Sequence, residues 1–167
     1  MNNLPEQIEI RNRYQVIPRV LAFIFKNEKI LLIERARKGE FAYGKLNGIG
    51  GHIERGESPL SAIRREIKEE TGLENLKFKL RIIAFIDIEQ DTGVNLFVFS
   101  ANYVSGKLIS SDEGKLCWSN KKELKKLKIV KDLPLLIDMI EESKDNGSVK
   151  FLQYEYKHDK LRIELIQ

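Results

Sequence analysis

Residues 51–73 read GHIERGESPLSAIRREIKEETGL, and how this stretch folds decides the reading of the rest. Ser58-Pro59 is a helix start: a serine oxygen caps free backbone N–H groups, and proline suits the first helical position. Leu60, Ile63 and Ile67 recur at three and four, which offers an apolar stripe to a core. Gly72 stands where a left-handed residue stops a helix. The spacing predicts a helix of about four turns over Pro59 to Thr71. On it Glu66, Glu69 and Glu70 share an arc of about 100°. Like charges at that spacing repel, so something must offset them or the side chains must point into water. Arg64, Arg65 and Lys68 can supply the balance on a solvated face. Alternatively, three carboxylates beside a glycine-bearing loop can converge on one hard cation. Mg²⁺ or Mn²⁺ takes oxygen ligands and keeps its remaining positions for water or phosphate.

Working outward, VLAFIF at 20–25 and ILLIER at 30–35 read as a hairpin around Lys26-Asn27-Glu28-Lys29. The loop ARKGEFAYGKLNGIGG follows, with five glycines between Gly39 and Gly51. Beyond the helix, FKLRIIAFIDIE and NLFVFSANYVSG read as two strands around Gln90-Asp91-Thr92-Gly93. A short helix is predicted over 121–127 and a second helix over 133–144, broken at Asn146-Gly147. The last residues, 148–166, alternate like a hairpin turning at His158-Asp159. Strands mixed with two helices predict an α/β (α+β) domain with a mixed sheet. The whole chain, 1–167, reads as one domain, with 1–17 as an extension and 147–167 as the closing hairpin.

Composition excludes several classes. The chain is 42% hydrophobic and 32% charged, as in a globular protein. No apolar run approaches the roughly 18 residues of a membrane span. The opening MNNLPEQIEIRNRY lacks a hydrophobic signal core, so a cytoplasmic location is expected. Cys117 is the only cysteine, which leaves no internal disulfide or cysteine-rich zinc site. His52 and His158 are too few and too far apart for a histidine cage. A net charge of +4 suits an anionic ligand only mildly. The lysine run at 121–128 reads first as a solvated helical face, and nucleic acid is not the expected partner.

The spacing of Gly51, Glu57, Arg65-Glu66-Ile67, Glu69-Glu70 and Gly72-Leu73 resembles the complete Nudix box. A chance match in a chain of this length has a probability on the order of 10⁻⁷ to 10⁻⁸. The resemblance covers roughly residues 18–142 and implies the Nudix fold, a mixed sheet sandwiched between helices. It implies a hydrolase of phosphoric anhydrides in which Glu66, Glu69 and Glu70 bind Mg²⁺, with Mn²⁺ as a substitute and the Gly50 carbonyl as a further ligand. Glu57 would support the metal shell or hold a water, and Arg65 would orient the carboxylates. Gly51 and Gly72 would serve backbone geometry. A nearby carboxylate takes the proton from the attacking water; Glu69, Glu70 and Glu113 are the candidates.

The loop from Phe41 to Gly51 is similar to that of MutT-like hydrolases acting on oxidised purine nucleotides such as 8-oxo-dGTP. That similarity implies that Asn47 reads the base and Phe41 packs on it. Downstream, Ser111-Asp112-Glu113 and Cys117-Trp118 resemble the same subgroup, with Glu113 returning to the metal and Asp132 meeting the base edge. Other roles stay open: Asn47 is also a good turn residue, Asp132 a good N-cap, and Trp118 and Cys117 good core residues. Leu46 and His52 depart from the subgroup, which commonly has tryptophan and lysine there. The motifs of ADP-ribose, NADH, coenzyme A and dinucleoside polyphosphate branches are not apparent. The expected partner is a small nucleotide, bound by a monomer or homodimer. Two rivals are an RNA 5′-pyrophosphohydrolase and a Nudix-fold sensor that binds without cleaving.

Overall fold

The computed structural model describes residues 13–39, 41–89, 91–144, 147–157 and 160–166. The expected turn residues Gln90, Asn146 and His158-Asp159, and residues 1–12 of the extension, lie outside them. The strands are β1 (Gln15–Lys26), β2 (Lys29–Arg35), β3 (Leu46–Asn47), β4 (Lys79–Glu89), β5 (Thr92–Asn102), β6 (Gly114–Asn120), β7 (Lys150–Lys157) and β8 (Lys160–Ile166). The helices are α1 (Pro59–Thr71), α2 (Leu133–Glu142) and a short 3₁₀ helix, Lys121–Lys126. The sheet order is β3-β2-β1-β5-β4-β7-β8, with β6 also on β2. β1 with β5 and β4 with β7 are parallel, and the other pairs are antiparallel. The sheet is mixed, as expected.

Strand alternation builds a core on each face. From β1, Leu21, Phe23 and Phe25 join Ile30 and Leu32 under α2, whose Leu133, Leu136, Ile137 and Ile140 cover them. Val20, Ala22, Ile24, Leu31 and Ile33 face the other way, against Ala62, Ile63 and Ile67 of α1. The sheet therefore lies between the two helices. At the far end of α2, buried Arg81 donates to Ser100 Oγ at 2.9 Å and to the Ser143 carbonyl at 2.9 Å. A cation at a helix C-terminus is favoured by the dipole.

The α1 boundaries agree with the sequence. Ser58 Oγ accepts from the Ser61 N–H, and Ser61 Oγ accepts from the Ser58 N–H, a reciprocal cap. Gly72 ends the helix at φ 72°. Leu60 is a correction: it is 38% exposed, and Ala62 and Thr71 are buried beside Ile63 and Ile67 instead. β1 begins five residues before the apolar run because parallel pairing carries it on, from Gln15 opposite Thr92 to Phe25 opposite Asn102. β5 likewise covers Thr92–Asn102 and ends before Tyr103–Gly106. β3 and β6 escaped the sequence pattern. Two residues are too few for a period, and GKLCWSN is a half-buried strand with polar residues on both faces.

Candidate active site

The site forms where β1 and β2 part. Their pairing runs only from Lys26–Lys29 to Ile24–Leu31, and the glycine-rich segment then takes over the β1 edge. Val20 donates to the Gly51 carbonyl at 2.9 Å and Ala22 to the Ile49 carbonyl at 2.7 Å. This presses the backbone against α1. A Cβ at Gly50 would stand 2.1 Å from the Val20 carbonyl oxygen, and one at Gly51 would stand 2.4 Å from Glu66 Oε1. A side chain at Gly50 would collide with fixed backbone, and one at Gly51 would push the Glu66 carboxylate aside.

Arg65 gathers the acids of the next layer. Its guanidinium donates to both Glu57 oxygens at 2.7 and 2.9 Å, to Glu66 Oε1 at 2.9 Å and to Glu69 Oε2 at 3.1 Å. A fifth bond reaches the His52 carbonyl at 3.0 Å, tying α1 to the glycine segment. Hydrogen bonds from Arg65 and from the Glu54 N–H lower the Glu57 carboxyl to about 2. The same contacts raise Arg65 well above its ordinary value. Burial raises Glu66 against the pull of Arg65. Glu69 is the open member, with 59% of its side chain exposed.

Glu70 is the buried member, only 2% exposed. Its Oε1 accepts from Arg35 Nη1 at 2.7 Å, and its Oε2 is buried with no hydrogen-bond partner. Burial, aided by Glu66 and Glu113 and opposed by Arg35, lifts its carboxyl to about 7. Arg35 Nη2 also donates to the Gly50 carbonyl at 2.7 Å, and Nη1 lies 3.6 Å from Glu113. Glu113 is paired with Arg37 at 2.7 Å.

The donor set fits a hard divalent cation. Four carboxylates and one carbonyl supply oxygen alone, and the orphaned Glu70 Oε2 is an acceptor that no protein group answers. Yet among the described residues no three acidic, histidine or cysteine side chains are drawn into chelating geometry. In this structure Glu66 and Glu69 are paired with Arg65, and Glu70 with Arg35. Two arginines stand among them and already offset the repulsion that the helix spacing creates. Arg65 does so as one of the two sequence readings anticipated. Lys68, by contrast, turns to Glu74 at 2.6 Å.

Arg35 was missed by the sequence reading. Its signal lies in β2: it continues the alternation Leu31, Ile33, Arg35 on the α1 face, so a cation stands where the next apolar residue is due.

A second group of predicted residues surrounds β3. Leu46 donates to the Lys128 carbonyl at 2.8 Å, and Val130 donates to the Leu46 carbonyl at 3.1 Å. This pairing brings the segment before Asp132 alongside Asn47. Asn47 Oδ1 accepts from the Gly48 N–H at 2.8 Å. Asp132 occupies the N-cap position of α2 but makes no side-chain cap; its carboxylate accepts from Tyr154 Oη at 2.9 Å. Tyr154, from the C-terminal hairpin, is a second residue the sequence reading missed. Phe41 is 70% exposed, a ring with a free face. Trp118 is half-buried, packed edge-on against Tyr103. In the lysine run Leu124 is buried and Lys121 pairs with Glu141 of α2. No helix among the described residues is long and apolar enough to cross a membrane.

The NUDIX domain family model matches residues 16–138, and the chain belongs to the Nudix family. The fold agrees: the chain is similar to a MutT protein from Bacillus halodurans, with a TM-score of 0.71 and 24% identity over 90% of this chain and 97% of that one. The oxidized purine nucleoside triphosphate hydrolase of Mus musculus is 29% identical over 99 residues, 59% of this chain and 62% of that protein. The ADP-ribose pyrophosphatase of Methanocaldococcus jannaschii is 38% identical over 96 residues, 55% of this chain and 54% of that protein. The matched region thus spans less than two thirds of the length of the mouse and Methanocaldococcus proteins.

Proposed function

We propose that this protein is a Mg²⁺-dependent pyrophosphohydrolase that converts a nucleoside triphosphate, preferentially an oxidised purine one, into the monophosphate and pyrophosphate. One observation carries the reading. Glu70 is a buried carboxylate with one unanswered oxygen, linked through Arg35 to the Gly50 carbonyl, on the helix that presents Glu66 and Glu69. A purely structural acid has no reason to leave a buried oxygen unpaired. Mg²⁺ held by Gly50, Glu66, Glu69, Glu70 and Glu113 would neutralise the phosphate oxygens and acidify a water. Arg65 holds Glu57 through two hydrogen bonds and keeps Glu66 and Glu69 on the same side of α1. Glu69, the most open of the three candidate bases, takes the proton of the attacking water.

The preference for an oxidised purine rests on the Phe41–Gly51 loop and on the topology that brings Asn47 beside the approach to Asp132. An exposed Phe41 ring can stack on a base. Asn47 and Asp132 offer an amide and a carboxylate to its polar edge. The similarity to the mouse hydrolase of oxidized purine nucleoside triphosphates supports the same choice.

The test is a screen of purified protein with Mg²⁺ against 8-oxo-dGTP, dGTP, a pyrimidine triphosphate, ADP-ribose and 5′-triphosphorylated RNA. Pyrophosphate release should be fastest from the oxidised purine. Faster turnover of ADP-ribose or RNA reassigns the substrate, and no turnover of any compound leaves a nucleotide sensor. Glu69→Gln should lower turnover by roughly two orders of magnitude or more while the folded circular dichroism spectrum is kept. Turnover like the wild type would remove Glu69 from the reaction.

A further inference from the structure

We propose that the Arg35 guanidinium and a divalent ion are alternative occupants of one cation site, so that metal loading displaces Arg35 from Glu70 and Gly50. The proposal rests on the metal reading above and concerns a residue that reading leaves without a role.

The geometry is specific. One planar group bonds the Glu70 carboxylate at 2.7 Å through Nη1 and the Gly50 carbonyl at 2.7 Å through Nη2, with Glu113 3.6 Å from Nη1. These are three of the five groups assigned to the ion. A Mg²⁺ ion must approach its oxygens to about 2.1 Å. An ion sharing both oxygens and a guanidinium bonded to both compete for the same lone pairs, and as cations they repel. Once ionised, Glu70 is too deeply buried to stand alone, so the anion needs one of the two cations in place.

Arg35 can also leave. It is the last residue of β2, and Ala36 begins the loop that leads to Phe41. The side chain is therefore attached at the end of the strand, on the same face as Ile33. Glu113, with 27% of its side chain exposed, is the acid next to it on the way out. Arg37 pairs with that acid's other oxygen at 2.7 Å from that loop, so removing it takes away an equal charge and a Glu113 contact while leaving Arg35's bonds to Glu70 and Gly50 in place.

The experiment measures Mn²⁺ binding without nucleotide, by electron paramagnetic resonance of the free ion, together with melting in EDTA and in Mn²⁺. Arg35→Gln should bind Mn²⁺ about tenfold tighter than wild type or more, because the ion no longer competes with a fixed charge in contact. It should melt lower than wild type in EDTA and gain more from Mn²⁺. Arg37→Gln removes the same charge but should change the affinity less than about threefold. Equal or weaker Mn²⁺ binding by Arg35→Gln overturns the proposal, and so does equal tightening in both variants, which is a field effect. If wild type and variants all fail to bind Mn²⁺, the metal reading falls too, and the two failures are thereby told apart. Crystals of the unaltered protein soaked in Mn²⁺ give an independent check should Arg35→Gln not fold. An ion at Gly50 and Glu70 with Arg35 moved beyond hydrogen-bond distance supports displacement; an ion beside an intact Arg35–Glu70 pair refutes it.

Discussion

Replacing Glu70 by glutamine tests the electrostatics of the site with catalysis left out. Burial lifts the Glu70 carboxyl from 4.5 to about 7, with Arg35 opposing the rise. Between those values the folded chain holds a proton that the unfolded chain has lost. The stabilisation this proton confers is complete below pH 4.5 and is lost as pH rises to 7. Each pKa unit is worth about 1.4 kcal/mol, so the lift corresponds to about 3 kcal/mol of stability lost across that window. For a chain of this size that is roughly 6–12 °C in melting temperature. Glutamine has the same shape and no proton to lose, so Glu70→Gln should lack this fall. The assay is urea unfolding in EDTA at pH 5 and pH 8 for both proteins, read as the difference between their two pH dependences. Groups remote from Glu70 titrate alike in both and cancel. The wild type should lose about 3 kcal/mol more than the variant between the two conditions. Equal losses, within about 1 kcal/mol, would falsify the claim that Glu70 is a proton-binding buried acid.

Three further substitutions probe the frame around it. Arg65→Gln should cost about 1.5–3 kcal/mol in urea unfolding from its bond to the part-buried Glu66 alone, the more exposed pairs adding little; a loss below about 0.5 kcal/mol would show that the acids hold themselves. Ser58→Ala should destabilise by about 1 kcal/mol through loss of the α1 cap, with steady-state KM unchanged; no loss on calorimetry means the Ser58–Ser61 bonds are idle. Asn47→Ala should raise KM for the preferred purine nucleotide far more than for a pyrimidine one. Parallel rises for both would leave Asn47 as a turn residue acting through Gly48.

How much of this was legible beforehand differs by element. α1 was readable to the residue, because its signals are local: a serine cap, a proline, a stripe at three and four, and a glycine stop. The hairpins β1–β2 and β7–β8 were readable for the same reason, each being two runs separated by a short turn. β3 was invisible because its strand character comes from Ile33–Glu34 on one side and Lys128–Val130 on the other, neither of which is near in sequence. β6 was hidden because half-burial mixes polar and apolar residues. Leu60 misled because it lies in the first turn of α1 and is exposed, whereas Ile63 and Ile67 further along are buried.

The sequence alone determined which side chains share a helix face, where α1 starts and stops, and the family those features mark. These are properties of neighbours along the chain, set by the 3.6-residue period and by steric limits within a turn. Only the tertiary structure decided how the acids are charged and paired. Glu66, Glu69 and Glu70 look equivalent in the sequence, yet Glu70 is deeply buried against Arg35, and Arg65 holds a part-buried Glu66 and an exposed Glu69. Arg35 reaches Glu70 from 35 residues away, and Tyr154 reaches Asp132 from 22 residues away. Desolvation and ion pairing depend on what packs across the gap between elements, and no local pattern encodes that gap.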